Sequence, residues 1–387
     1  MVSDAGTPME VEFEIEAARG WRRTVIWGVP SAVTLIWLLY VVASGQWDRV
    51  VAHWESSTTM IFGSFVAGST PQGGGAVAFP VFTKVLAVPA DAARTFSLSI
   101  QAVGMVTASI IIVLAQRRIE LKPVVVAGTA GVVGFLGGLL ILGDHSTLFW
   151  SSLIPGPYVK VTFTVILAAM SYIVWLSLDE GDCGEDELPV RNLRVRTGVI
   201  AAGLLGGVAS ALTGSGVDVF LFLFIVVLAG LHPRVGVPTS IIAMAVVSTV
   251  GFIVLGLIDG QLSIGLDAAG DVISVGGTSV GVEPLDGSRF DLFGLWLAAV
   301  PIVVWGAPLG AFFVHIMREG RLIAFVAGMA ALEVISTAIF LDELRTDPAL
   351  VAYGIVALAG TIAAVTFLAR NRHRLLRLPH DHALILD

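Results

Sequence analysis

Ser69-Thr70-Pro71-Gln72-Gly73-Gly74-Gly75 and Thr213-Gly214-Ser215-Gly216 interrupt two apolar stretches, 58–88 and 198–231, that are too long for one simple membrane span. These two interruptions decide the fold. Glycine and proline are the strongest breakers of a helix, and non-helical backbone at membrane depth survives only where protein or a watery cavity surrounds it. Each stretch is therefore a re-entrant helical hairpin or a single discontinuous crossing.

The surrounding sequence sets the membrane context. Of 387 residues, 56% are hydrophobic and 13% charged, about half of the ~25% charged share of an ordinary soluble domain. That composition argues against a water-soluble globular protein. A bilayer core of about 30 Å needs roughly 20 apolar residues per helix. Such runs occur near 24–43, 95–115, 123–142, 159–178, 237–257, 292–315, 322–341 and 349–368. The first is long, carries Trp27 and Trp37 and lacks a convincing small-residue cleavage site after it, so it is expected to remain as a helix rather than be removed as a signal peptide. The single cysteine, Cys183, supports neither an intrachain disulfide nor a thiolate metal cluster. No cofactor is implied. The basic residues flank apolar runs and form no basic patch on a matching fold, which argues against nucleic acid as a partner.

Basic residues arbitrate between the two forms of each broken stretch, because Lys and Arg accumulate in cytoplasmic loops. With both stretches re-entrant and the N-terminus inside, sixteen basic residues face the cytoplasm (Arg19, Arg22, Arg23, Arg117, Arg118, Lys122, Arg191, Arg194, Arg196, Arg234, Arg318, Arg321, Arg370, Arg372, Arg374, Arg377). Five lie outside: Arg49, Arg94, Lys160, Arg289 and Arg345, with Lys84 in the membrane. Full crossings reduce the bias to twelve against nine. The re-entrant arrangement is favoured, with the first hairpin entering from outside, the second from the cytoplasm, and both termini cytoplasmic.

A repeat reinforces this. Shifting residues 73–114 by 141 positions aligns Gly73 with Gly214, Gly75 with Gly216, Ser99 with Ser240, Ile100 with Ile241, Ala102 with Ala243 and Val106 with Val247. Inverted repeats are common in secondary transporters. The expected fold is an all-α polytopic membrane protein of about eight transmembrane helices plus two re-entrant broken-helix hairpins arranged as an inverted repeat. Its parts are a first half, 1–178, a cytoplasmic linker, 179–196, and a second half, 197–387. Residues 258–291, rich in Gly, Ser and Asp, form the longest external loop, with a short strand pair expected in it.

A helix broken at mid-membrane exposes free amides at the start of its second half, an end that suits an anion. Here those starts are Gly74 to Val77 and Ser215 to Val217, and opposed hairpins would bring them together. The candidate substrate-binding residues are Ser69, Thr70, Gln72, Gly73, Gly74 and Gly75 from the first break and Thr213, Gly214, Ser215 and Gly216 from the second. The alternative for both clusters is tight helix packing by small residues. Asp218 is either a half-helix cap or the group that couples transport to a proton or cation. Lys84 either snorkels outward or serves function, and Glu333 could pair with a neighbouring helix. Arg94 and Arg234, each after a hairpin, either attract anions at the mouths or anchor the boundary. His53, His145, His232 and His315 are scattered near span ends, and His380 and His382 sit in the tail, without metal-ligand spacing.

Some of these residues resemble a known family. Gly73-Gly74-Gly75 followed by Pro80, then the span from Ala93 to Leu114, looks like the first half of the sulfite exporter TauE/SafE family. Gly206-Gly207, Thr213-Gly214-Ser215-Gly216, Pro238-Thr239-Ser240, Gly306 to Gly310 and Arg321 to Gly328 look like the second half. The resemblance spans roughly 58–370 and implies a bacterial or archaeal inner-membrane transporter exporting sulfite, sulfoacetate or related anions. Thr70-Pro71-Gln72 and the long loop after 257 depart from the family pattern. The functional expectation is a secondary transporter of a small anion, working by alternating access in the bilayer, and a homo-oligomer is compatible with it. A non-transporting scaffold is the alternative. A membrane enzyme would need a nucleophile and base or a metal cluster facing one cavity, which the spacing of Ser, Asp and His does not offer.

Overall fold

The computed structural model describes residues 8–86, 88–142, 154–176, 188, 192–263, 265–266, 272–273, 291–316, 319–371 and 375–376. Cys183, His145, His380, His382, most of the 179–196 linker and most of the external loop fall outside them.

The chain forms fourteen helices among the described residues: α1 Pro8–Ala43, α2 Trp47–Ala52, α3 Trp54–Ser69, α4 Gly75–Pro80, α5 Ala90–Leu114, α6 Leu121–Leu142, α7 Gly156–Leu176, α8 Leu193–Thr213, α9 Val217–Phe222, α10 Pro233–Gly251, α11 Leu292–Ile316, α12 Glu319–Phe340, α13 Glu343–Thr346 and α14 Pro348–Arg370. Wider π-type turns prolong α4 through Val81–Val85, α9 through Leu223–Leu228 and α10 through Phe252–Ile258. A short antiparallel pair in the long loop joins β1 Gly265–Leu266 to β2 Val272–Ile273, with Gly265 opposite Ile273.

Among the described residues seven helical segments are long and apolar enough to cross a membrane, and they include six of the eight expected spans. The other two expected spans also form as helices, α7, which contains Lys160, and α12, which contains Glu333. The seventh long segment is Leu193–Thr213, the inner limb of the second broken stretch. Large apolar side chains on α1 and α14, such as Ile36 and Val356, are two-thirds or more exposed, at 66% and 71%. In water this would be an aggregation surface; in a bilayer it faces lipid. This is a multi-pass membrane protein of the all-α class, its one short strand pair lying in the long loop.

At both breaks the chain turns back on itself. Val77 of α4 packs beside Gly63 of α3, and Gly74 beside Ala67. In the second stretch Val217 packs beside Gly206 and Phe224 beside Gly198, so α9 and its extension run back along α8. The turn backbone explains the glycines: Gly73 has φ +67° and Gly214 φ +80°, the left-handed region that side chains disfavour.

The repeat appears in the packing. α3 packs on α11, while its counterpart α8 packs on α6; α5 and α10, counterparts of each other, pack together at the centre. Both exchanged interfaces require close backbone approach. A Cβ at Gly68 would lie 1.8 Å from the Ala307 carbonyl oxygen, and one at Gly207 would lie 2.1 Å from that of Gly131.

Outside the bundle, Asp291 caps α11, accepting the Gly294 N–H at 2.9 Å. It also pairs with Arg49, through Nε and through Nη2 at 2.5 Å, and lies 3.1 Å from His53 Nε2. Burial pushes its carboxyl up, but the His53, Arg49 and Gly294 hydrogen bonds and the Arg49 charge outweigh burial and hold it well below the usual carboxylate range.

Candidate functional site

The two hairpin tips meet. Ser215 Oγ donates to the Gln72 carbonyl oxygen at 3.3 Å and to Asp218 Oδ1 at 3.3 Å. The bare face of Gly73 looks onto three oxygens: its Cβ, if present, would lie 2.4 Å from Asp218 Oδ2, 3.1 Å from Ser215 Oγ and 3.5 Å from Gln101 Oε1. A Cβ on Gly75 would lie 2.8 Å from that of Ser215 and 3.0 Å from Ser97 Oγ. The ten candidate residues of the two breaks are buried, with Ser69, Thr70 and Gln72 at 0% exposure, Thr213 at 1% and Ser215 at 3%.

Their roles within the tips differ. Ser69 and Thr70 hydroxyls donate back to the Phe65 and Val66 carbonyls, closing the end of α3. The Gln72 N–H donates to Thr70 Oγ1 at 3.3 Å, and Thr213 Oγ1 donates to the Ser215 carbonyl at 2.8 Å, shaping each turn. Ser215 and Gln72, by contrast, reach across between tips and to other helices; Gln72 Nε2 donates to Ser171 Oγ of α7 at 3.1 Å.

Asp218, second residue of α9, is fully buried. Its Oδ1 accepts the Val219 N–H at 3.0 Å in addition to the Ser215 hydroxyl. The chain's own carboxylate thus lies at the amide start where an anion was expected, which gives it a capping geometry as well as a place at the meeting point.

Three residues of the site were not singled out from the sequence: Ser97, Gln101 and Ser171. Gln101 Nε2 donates to Ser97 Oγ at 2.8 Å and to the Gly214 carbonyl at 3.0 Å, so α5 supports the second tip directly. Its Oε1 is buried without a hydrogen-bond partner and faces Gly73. The available signal was two polar residues four apart in an apolar span, which places them on one helix face.

Two expectations need correction. Arg94 neither opens a mouth nor anchors a boundary: it is fully buried in α5, and its Nη1 donates to the Ala211 carbonyl at 3.2 Å, just before the second tip. It also does not match Arg234, which is exposed in the first turn of α10 beside the capping His232; the 141-residue shift pairs Arg94 with Val235. Lys84 does not snorkel outward. Its Nζ donates to Glu333 Oε1 at 2.6 Å, and the two side chains are 1% and 2% exposed. Among the described residues no group of three or more His, Cys, Asp or Glu could hold a metal ion.

No curated protein and no solved structure matches this chain. A family model does: that of the sulfite exporter TauE/SafE matches residues 58–337, a range that holds both hairpins, α5, α10 and the facing helices. This match covers well over half of the chain, and the protein belongs to the sulfite exporter TauE/SafE family of membrane transporters.

Proposed function

We propose that this protein is a secondary transporter that carries a small sulfur-containing anion, such as sulfite or a short sulfonate, across the cytoplasmic membrane by alternating access around the paired hairpin tips. One observation carries the proposal: two broken helices from opposite halves of the chain meet in a single sealed cluster of Gln72, Ser215, Gln101, Ser97 and Asp218 inside an apolar bundle. Buried polar groups in a membrane are expensive and mark substrate or ion pathways. Bare glycine faces at Gly73 and Gly75 let a ligand approach the backbone and the surrounding hydroxyl and amide groups. Small opposed shifts of the two hairpins would open the cluster to one side or the other.

Asp218 is the coupling group in this scheme. An ionised carboxylate and a substrate anion repel each other in the same buried cluster, so anion entry requires a proton on Asp218 or an accompanying cation. Co-movement of that charge reduces the electrical work of carrying an anion. The basic-residue bias supports hairpins entering from opposite faces, with both termini in the cytoplasm.

Uptake and efflux of labelled sulfite, sulfate and methanesulfonate in proteoliposomes, with and without an imposed proton gradient, tests the activity. Flux above protein-free liposomes that responds to the gradient supports it; none for any of the three refutes it. For topology, externally added thiol reagent should label a cysteine placed at Ala90 and not one at Gly230. Labelling of both from one side refutes the opposed entry.

A further inference from the structure

A second polar cluster lies on the outer limb of the first hairpin, apart from the tips. Lys84 Nζ donates to Glu333 Oε1 at 2.6 Å, to Thr337 Oγ1 at 2.7 Å and to Ser336 Oγ at 3.2 Å. Thr164 of α7 donates to the same Glu333 oxygen at 2.8 Å, and its hydroxyl lies 2.7 Å from that of Thr337. One carboxylate oxygen thus collects an ammonium and the Thr164 hydroxyl, with the Thr337 hydroxyl, which donates to the Glu333 backbone carbonyl at 2.9 Å, 3.4 Å away. The other charge facing Lys84 is Lys160, one turn before Thr164 on α7, which in turn faces Glu343 of α13.

Packing alone does not require charge at this place. The residue that the 141-residue shift matches to Lys84 is Ile225, on the outer limb of the second hairpin, and it is fully buried in an apolar core. Taking an ion pair out of water costs as much as it returns, and well-packed apolar residues often serve equally well. A position also links this cluster to the tips. Thr164 and Ser171 lie seven residues apart, on one face of α7 and separated by about 10 Å of helix rise. Ser171 accepts from Gln72 of the first tip, and Thr164 donates to Glu333.

We infer that Lys84, Thr164 and Thr337 form a second anion station, along the first hairpin from the tips, whose resident anion in this conformation is the Glu333 carboxylate. Its ligand class is a small oxyanion of carboxylate-like shape, a sulfonate or sulfite. The incoming anion replaces Glu333 against Lys84 and the two hydroxyls, and the displaced carboxyl takes up one solvent proton (hydronium). The charges balance: a neutral Lys84–Glu333 pair, one anion and one proton become a neutral Lys84–anion pair and a neutral acid. The station rests on the transport reading above, for which it is a waypoint.

Methanesulfonate, whose charge is constant across the working pH range, is the probe, with binding to the purified protein followed by calorimetry. Gly75→Val blocks the tips and leaves the station intact; Ser215→Val does so from the other tip where the first variant fails to purify. The tip-blocked protein should still bind methanesulfonate, with an apparent Kd that rises about tenfold per pH unit, the slope of one proton per anion. Adding Lys84→Met should weaken binding by about tenfold or more, and adding Glu333→Gln should remove the pH dependence. Loss of all binding in both tip-blocked variants, or an unchanged slope with Glu333→Gln, overturns the station and leaves the tip site standing. A wild-type protein that binds no methanesulfonate counts against both.

Discussion

The two hairpins share a backbone plan and differ in where each holds its charge. Both turn at a left-handed glycine, Gly73 and Gly214, and both send an outer limb back along the inner one. The second carries its ionisable group at the tip, as Asp218, and its outer limb is otherwise apolar. The first has an uncharged tip and places Lys84 at the far end of its outer limb, against Glu333. In each case a carboxylate of the chain fills an anion-favouring position: Asp218 on the Val219 amide and Glu333 on Lys84. The near-symmetric scaffold fixes the backbone geometry, while its two halves differ in where the charged side chains lie.

Substitutions at matched glycines should break the comparison most severely. At Gly216 an added Cβ would lie 2.5 Å from the Gly206 carbonyl and 3.1 Å from the Ser210 nitrogen, backbone atoms of its own hairpin. Gly216→Val should therefore reduce the amount of folded protein recovered from membranes. At Gly75 the nearest atoms are side chains, Ser215 and Ser97, so Gly75→Val should leave protein in the membrane while abolishing sulfite flux. Equal expression loss in both would show that the tips are equally rigid.

Asp218→Asn tests the charge at the second tip. It keeps size and hydrogen bonding but fixes the neutral state, so anion exchange should persist while the response of flux to a pH gradient is lost. A mutant that responds like the parent reduces Asp218 to a cap. Gln101→Leu should act mainly on the second tip, because it removes the 3.0 Å donor to the Gly214 carbonyl and leaves that buried acceptor only the Ser97 hydroxyl at 3.5 Å. A cost of about 1–3 kcal/mol is expected, read as a lower Tm in detergent.

The smallest effect is expected away from both hairpins. Asp291→Asn should lower Tm by a few degrees at neutral pH without altering flux. Because the folded carboxyl is held below its ordinary value, its stabilising contribution is present above about pH 4 and is lost as pH falls through the lowered folded value. The Tm difference from wild type should accordingly vanish only in strong acid. A change in flux would tie this corner to the hairpins.

Much of this architecture is written locally. Glycine and proline in the middle of apolar runs disclose the breaks, and the 141-residue shift anticipates both left-handed glycines, because helix termination depends on nearby residues. The partners of buried side chains are not local. Lys84 and Glu333 are 249 residues apart, and a hydropathy window sees only a charge to be placed at an interface. Arg94 misleads in the same way: it follows Pro89 and Asp91, as a loop residue would, yet α5 begins at Ala90 and carries it into the bundle. Ser97 and Gln101 escape attention because two polar residues in a helix gain meaning only once Gly214 is known to face them.

Locking the tips together decides whether the anion passes between them. The site of a Gly75 Cβ lies 2.8 Å from the Ser215 Cβ, so a modest widening reaches the roughly 3.5–4.5 Å separation of a disulfide. In a background with Cys183→Ser, which removes the native cysteine, Gly75→Cys with Ser215→Cys should cross-link on mild oxidation. Sulfite flux should then stop and return on reduction. Complete cross-linking with undiminished flux would contradict the account, because an anion path through the meeting point of two moving hairpins cannot survive their being joined.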